Sequence, residues 1–209
     1  MHKKTLWLTL ALTLVAVLLF GCGGGAQEET PAIEEPSGSA DFPAKDPAEP
    51  FALDEKGTVT ITNDQAYTIQ VQRADGTNLF TLDFKKNGVI DPTVDFTVQA
   101  VPFEIPEEYA DQFVPVGERA FELHATDDQG YGFALRPKLQ IYVTNAEISA
   151  ATEAGASLDT IKGNLTILYK EQRSPKWVPQ TSISVDEDTK VVTVSNIAGA
   201  GAWMLVAKK

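Results

Sequence analysis

Residues 58–84 read TVTITNDQAYTIQVQRADGTNLFTLDF, and the alternation in this stretch indicates the fold class. Polar and apolar residues alternate with a period of two in three runs, 58–62, 67–72 and 79–84. A period of two is typical of a strand with one buried face. Asp75-Gly76 separates the second run from the third, and Asp-Gly is a strong hairpin signal. We therefore predict consecutive antiparallel strands here.

The same alternation continues along the chain and predicts about ten short strands. The later runs, separated by Gly, Pro, Asn and Asp turns, are 94–101, 119–126, 139–144, 165–169, 182–185, 191–194 and 202–206. This spacing predicts an all-β domain, an antiparallel β-sandwich over residues 51–209. A split into two small β subdomains near 145–163 stays open. We expect one helical turn at 106–112 and interpret the Ala-rich stretch 146–159 as a crossover loop with one helical turn.

The N-terminus has the plan of a secretory signal peptide. Lys3 and Lys4 precede an apolar run of 15 residues from Leu6 to Phe20. As a helix this run would be about 22 Å long, which is short against a hydrocarbon core of about 30 Å. A basic start, a short apolar run and small residues at its end are typical of a cleaved signal peptide. We assign residues 1–21 to it.

The end of this run, Leu19-Phe20-Gly21-Cys22, resembles a bacterial lipobox. The resemblance implies transfer of diacylglycerol to the Cys22 thiol and cleavage between Gly21 and Cys22. Two or three acyl chains hold a protein stably on a bilayer where one does not. It further implies an exported protein anchored to a bacterial membrane: the outer membrane if the cell has one, since Gly23 is not Asp, and otherwise the outer face of the cell membrane. An uncleaved signal anchor is the alternative.

Residues 22–50 differ sharply in composition from residues 51–209. They hold five prolines and seven acidic residues against one base, Lys45. Such a segment buries too little apolar surface to offset its ordering entropy, and like charges extend it. We interpret it as a disordered tether behind the lipidated Cys22. A partner-binding acidic tail is the alternative.

The composition of the whole chain argues against several classes of protein. The net charge of -12 over 209 residues argues against nucleic-acid binding, because counterion release needs a basic excess. One cysteine excludes an internal disulfide and a cysteine-based zinc site. His124 is the one histidine after the signal peptide, and the chain has no Gly-x-Ser-x-Gly motif. We predict no catalytic residue, no metal site and no cofactor.

Two further groups of residues leave alternatives open. The acidic clusters 127–128 and 186–188 fall at predicted hairpin turns, where Asp is favoured, and weak calcium binding is the other interpretation. Six aromatic residues fit either a core or a glycan-stacking surface: Tyr67, Tyr131, Tyr142, Tyr169, Trp177 and Trp203. Two or more solvent-facing coplanar rings would favour the glycan.

Residues 115–123 with 133–141, and residues 165–169 with 177–194, are similar to a known bacterial module. They resemble the zonula-occludens and netrin-receptor type β-sandwich and its downstream companion domain, over roughly residues 57–207. Related companion domains cleave themselves at a Phe-Ser bond next to a His. Residues 195–201 read SNIAGAG and contain neither, so we expect no autoproteolysis.

These patterns together predict a lipid-anchored exported protein that presents a non-catalytic β-sandwich for binding or envelope structure. A carbohydrate- or polymer-binding accessory lipoprotein is the alternative, and a hydrolase is a third. The expected partners are membrane lipid, through acylated Cys22, and a glycan or envelope protein.

Overall fold

The computed structural model of the protein describes residues 43–126, 130–158 and 160–209. The predicted signal peptide, the lipobox with Cys22, and most of the tether lie outside these residues. The described part contains one α-helix, one 3₁₀ turn at Glu107–Tyr109, and fourteen strands. They are β1 (Ala44–Lys45), β2 (Phe51–Ala52), β3 (Lys56–Thr62), β4 (Tyr67–Gln72), β5 (Asn78–Phe84), β6 (Thr93–Pro102), β7 (Phe113–Pro115), β8 (Arg119–Ala125), β9 (Lys138–Tyr142), α1 (Asn145–Glu153), β10 (Leu165–Glu171), β11 (Val178–Gln180), β12 (Ile183–Asp186), β13 (Val191–Val194) and β14 (Gly201–Lys208).

The strands form two sheets that pack against each other, which confirms the predicted all-β sandwich. One sheet has eight strands in the order β1-β3-β6-β8-β14-β10-β11, with β7 also paired to β14. The other has six, in the order β12-β13-β9-β5-β4-β2. Strands before and after residues 145–163 share both sheets, because β14 pairs with β8 and β13 pairs with β9.

All ten predicted strand runs are strands in the structure. The Asp75-Gly76 hairpin is also confirmed: the Gly76 N–H donates to the Arg73 carbonyl, and Gly76 has a φ of 81°. Four short strands were not predicted: β1, β2, β7 and β11. The sheets are mixed rather than purely antiparallel, because β1 pairs with β3 and β2 pairs with β4 in parallel.

Alternation places one face of each long strand in a shared core. Phe121, Leu123 and Ala125 of β8 point inward, as the sequence predicts, and the Phe121 ring lies 5.4 Å from that of Phe80 on the other sheet. Trp203 belongs to the same core, with 1% of its surface exposed. Burial of such large apolar side chains is the main stabilising contribution to a sandwich of this size.

The outer face of the eight-stranded sheet is partly covered as well. Leu168 and Met204 point away from the main core and pack with Phe113 in a second, smaller cluster. The segment around the 3₁₀ turn covers this cluster, and the Tyr109 hydroxyl donates to the Trp177 carbonyl at 3.0 Å. Strand β14 is therefore buried on both faces, which explains its continuous apolar sequence.

Short strands connect the two sheets at both lateral edges of the sandwich. At one edge the chain passes from β1 in the eight-stranded sheet to β2 in the six-stranded sheet. At the opposite edge it passes from β11 to β12. The first edge includes residues 43–50, which the sequence interpretation assigned to the tether. Lys45 accounts for this difference, because its ammonium pairs with Glu55 at 2.7 Å and lies 4.8 Å from the centre of the buried Phe51 ring.

Helix α1 corrects the interpretation of residues 146–159 as a loop with one helical turn. It is nine residues long and begins with a capping box. The Thr144 hydroxyl accepts from the Glu147 N–H at 3.1 Å, and a Glu147 carboxylate oxygen accepts from the Thr144 N–H at 2.7 Å. Among the described residues, no helix has the length and hydropathy needed to cross a bilayer.

Candidate functional site

An opening wide enough to take a ligand lies at the β11–β12 edge. This edge groove has a volume of about 640 Å³. Its walls come from the two edge strands, from the segment before β10, and from the chain end at Lys208. Leu165, Ile183 and Val185 form the apolar part, and Gln180, Thr181 and Ser184 supply uncharged polar groups. Pockets of this size and composition are typical of binding sites.

Several polar groups of the edge groove are unused within the described residues. Three side-chain groups form no hydrogen bond with another described side chain or backbone group. They are the side-chain amide of Gln180, the hydroxyl of Ser184 and the ammonium of Lys162. Lys208 is different, because its ammonium donates to the Gly163 carbonyl at 2.8 Å. The groove therefore presents donors and acceptors that a bound molecule can satisfy.

A second cavity, of about 500 Å³, lies between α1 and the end of the sandwich. Three of its four charged side chains, including both arginines, are already paired. The Arg73 guanidinium donates to the Asn78 carbonyl at 2.6 Å, to the Tyr142 carbonyl at 2.6 Å, and to the Glu147 carboxylate at 3.0 Å. These bonds tie the β4–β5 hairpin to β9 and α1. This cavity is therefore better explained as a structural junction than as a ligand site.

His124, the one histidine after the predicted signal peptide, lies away from both cavities. His124 is half-buried on β8, opposite Thr97 on the outer face of the eight-stranded sheet, and lines neither cavity. Asp127 and Asp128 lie outside the described residues. Within the described residues, no group of three or more His, Cys, Asp and Glu side chains is placed to hold a metal ion.

The second acidic cluster, residues 186–188, forms a turn. The Asp186 carboxylate accepts from the N–H groups of Asp188 and Thr189, both at 3.0 Å. The bonds from Thr189 are the main cause that lowers the pKa of Asp186 below its usual value. The neighbouring Glu187 accepts from the Lys162 N–H at 3.1 Å. The carboxylates of Asp186 and Glu187 thus accept hydrogen bonds from backbone N–H groups. For Asp186 this is the role expected of an Asp in a turn.

The six aromatic residues do not form an exposed stacking surface, since each is buried or half-buried. The one stacked pair among them, Tyr169 and Trp203, has ring centres 5.3 Å apart and lies in the core. Burial raises the pKa of Tyr169 far above its usual value, and its hydroxyl donates to the Gly199 carbonyl at 3.2 Å. Trp177 is half-buried beneath Lys170, whose ammonium lies 5.1 Å from the ring centre. The core role is therefore confirmed for Tyr169 and Trp203.

No protein-family model matches the chain. No curated protein matches it either. The resemblances to a lipobox and to the zonula-occludens and netrin-receptor type module therefore stay predictions. The edge groove is a site that sequence reasoning missed, because its walls come from four chain segments that no spacing connects.

Proposed function

We propose that the protein is an exported lipoprotein, held on the membrane by acylated Cys22, and that its β-sandwich is a non-catalytic binding domain. One sequence observation carries the anchor: the only cysteine of the chain directly follows Leu19-Phe20-Gly21 at the end of an apolar run. A lipidated N-terminus needs a folded domain downstream and a spacer between the two, and the described sandwich begins at residue 43.

The topology supports the edge groove as the binding surface of this domain. The chain enters at β1, and β11 lies six strand positions away across the same sheet, or roughly 29 Å at a strand spacing of about 4.8 Å. The groove therefore lies at the lateral edge opposite β1, the strand with which the described sandwich begins.

The lipid anchor is tested by comparing the wild-type chain with Cys22→Ser in cells fed a clickable fatty acid. The matched control is Gly24→Ser, which introduces the same residue two positions away and keeps the thiol. We expect label, detergent partitioning and the processed size in the wild type and Gly24→Ser, and loss of all three in Cys22→Ser. A Cys22→Ser chain that still partitions and still migrates at the processed size contradicts the anchor.

A second candidate function, binding of a neutral polysaccharide in the edge groove, is favoured by the amide and hydroxyl groups that line it. Sugar hydroxyls pair with such uncharged donors and acceptors, whereas the groove offers few charges. Affinity electrophoresis in gels containing envelope polysaccharides tests it. Gln180→Ala and Ser184→Ala should abolish retardation, and Gln140→Ala, on the outer face of β9, should retain it. Equal retardation of all variants contradicts the assignment.

A further inference from the structure

Two hydrogen-bonded loops at one end of the sandwich carry a surface unlike the rest of the domain. They are residues 85–92, between β5 and β6, and residues 130–137, before β9. The Gly88 carbonyl accepts from the Ala134 N–H at 3.0 Å and from the Leu135 N–H at 3.2 Å. We call the side chains that these loops expose the basic-apolar patch.

The patch contains two of the three large hydrophobic side chains that the described residues expose. Ile90 is 62% exposed and Leu135 is 45% exposed; the third is Val178, on β11. Single exposed hydrophobic residues need no explanation, but two on loops that are bonded to each other form a local apolar projection.

The same loops hold more bases than acids, whereas the whole chain holds more acids than bases. Residues 85–92 and 130–137 contain three bases and one acid, whereas the whole chain has 17 bases and 29 acids. Lys85, Lys86 and Arg136 are exposed and form no ion pair with a described residue, while Lys138 pairs with Asp83 at 2.9 Å. Asp83 and Lys138 are the last register partners of β5 and β9 at this end, and Lys85 and Arg136 each lie two residues beyond them in the chain.

The side chain of Tyr131 holds the loops in place, so the patch is a preformed surface. The Tyr131 hydroxyl accepts from the Ile90 N–H at 2.7 Å and from the Asp91 N–H at 2.9 Å. Its ring packs edge-on against the buried Phe96, with ring centres 5.4 Å apart. Burial raises the pKa of Tyr131, so this hydroxyl stays protonated at neutral pH. Asp91 lies within the first loop, and the carboxylate of Asp64, on the neighbouring β3–β4 connection, accepts from the Thr62 hydroxyl.

We propose that the basic-apolar patch docks the sandwich onto an anionic membrane surface. Exposed bases with protruding aliphatic side chains match a bilayer, because the bases lie at the anionic headgroups while the apolar side chains enter the acyl boundary. The proposal rests on the lipid anchor proposed above for keeping the domain near the bilayer. The 22 residues from Cys22 to Pro43 reach at most roughly 70 Å, which exceeds the roughly 24 Å length of a seven-residue strand.

The experiment uses the full chain reconstituted into vesicles of pure phosphatidylcholine or of phosphatidylcholine with 30% phosphatidylglycerol. An environment-sensitive fluorophore is attached at Ala134→Cys, beside Leu135, and in a separate chain at Ser182→Cys, on the β11–β12 connection. Both positions are exposed. We expect a blue shift at 134 in anionic vesicles only, and no shift at 182 in either. The shift should disappear in 1 M salt, where the screening length is about 3 Å.

Charge variants separate local docking from the effect of net charge. A triple variant should lower the ratio of docked to undocked protein about a hundredfold, because each base near an anionic surface contributes a factor of about five. Its substitutions are Lys85→Gln, Lys86→Gln and Arg136→Gln. The matched triple Lys162→Gln, Lys176→Gln and Lys190→Gln has the same net charge and should leave the ratio unchanged. Circular dichroism checks that both triples fold.

Each other outcome overturns the proposal. A shift at 134 that is equal in neutral and anionic vesicles indicates that the acidic segment 28–35 or lipid of any charge covers the patch. Equal losses in both triples indicate a net-charge effect, and a shift that needs an added envelope protein indicates a protein partner. The anchor is judged separately: lipidated Cys22 has no free thiol, so labelling of the parent chain contradicts the anchor. The signal of the labelled parent chain is then subtracted before positions 134 and 182 are compared.

Discussion

Replacing Thr81 by Val should stabilise the protein, although the substitution removes a polar group from a folded domain. Thr81 is 5% exposed on the central strand β5, and its hydroxyl oxygen is buried with no hydrogen-bond partner among the described residues. Removing an unpaired hydroxyl from a buried position recovers a desolvation cost of about 1–3 kcal/mol. Val has nearly the same volume and favours strands, so neither a cavity nor a loss of strand propensity opposes this gain.

Thr166 supplies the matched comparison, because it is the other buried threonine of the described residues. It is 9% exposed on β10, and its hydroxyl donates to the Gln180 carbonyl at 3.1 Å. Thr166→Val leaves that carbonyl without its partner, at a cost of about 1–2 kcal/mol. The same chemical change should thus have opposite signs at the two positions.

Thermal unfolding of the detergent-solubilised chain, followed by circular dichroism, measures both effects. At about 3 °C per kcal/mol for a domain of this size, Thr81→Val should raise Tm by about 3–9 °C and Thr166→Val should lower it by about 3–6 °C. Thr81→Ser keeps the hydroxyl and removes a methyl group, so it should lower the stability by about 1 kcal/mol. If Thr81→Val lowers Tm as much as Thr166→Val does, the Thr81 hydroxyl is paired in solution and the reasoning fails.

Three further outcomes are expected from contacts of the same kind. A Cβ at Gly201 would lie 2.2 Å from the Lys170 carbonyl oxygen on β10, so Gly201→Ala should lower the free energy of unfolding by more than about 3 kcal/mol in denaturant titrations, whereas Gly76→Ala, with open space around it, should cost less. Glu147→Gln removes the charge that pairs with Arg73 but keeps the helix cap geometry, so it should cost about 1–2 kcal/mol, while a cost near zero would show that the pair contributes nothing. The pKa of Asp186 is lowered in the folded state, so its stabilising contribution is present above the unfolded pKa and is lost as pH falls through the folded pKa. Asp186→Asn should therefore flatten the loss of stability as the pH falls below about 4, and an unchanged profile would refute this assignment.

The long strands could be predicted from sequence because each buries one face against the same core. In β3, β4 and β5 the period of two survives over six or seven residues, and the Asp75-Gly76 turn fixes their order. The four missed strands are two or three residues long, which is too short for any alternation to be detected.

Helix α1 was missed although its start signal is present in the sequence. Thr144 and Glu147 have the spacing of a capping box, but the helix buries only Ala151, so it shows almost no apolar periodicity. Its position depends on Arg73, which reaches Glu147 from a hairpin 74 residues earlier in the chain. Contacts between residues so far apart in the chain decide whether a weak helix forms, and the local sequence pattern carries no information about them.

The two proposed surfaces were beyond sequence reasoning for the same reason. Lys85 and Arg136 are 51 positions apart in the chain, and only the register of β5 with β9 brings them together. The edge groove likewise depends on the chain crossing between sheets at β11 and β12. The acidic composition of the chain predicts repulsion from anionic surfaces, which is the opposite of the attraction that we propose for the patch.

That repulsion gives the acidity of the domain a role in orientation. An anionic bilayer attracts the basic-apolar patch and repels the acidic remainder, so only one face of the sandwich is held at the membrane. Strands β5 and β9 lie in the middle of the six-stranded sheet, and β9 is two strand positions from β12, or roughly 10 Å. A sandwich that docks by the end of β5 and β9 therefore keeps the β11–β12 edge beside the bilayer rather than beneath it, and the groove stays open to a ligand. Adding bases elsewhere on the domain should consequently disturb orientation before it disturbs attachment, because the proposed anchor at Cys22 does not depend on which face of the domain meets the lipid.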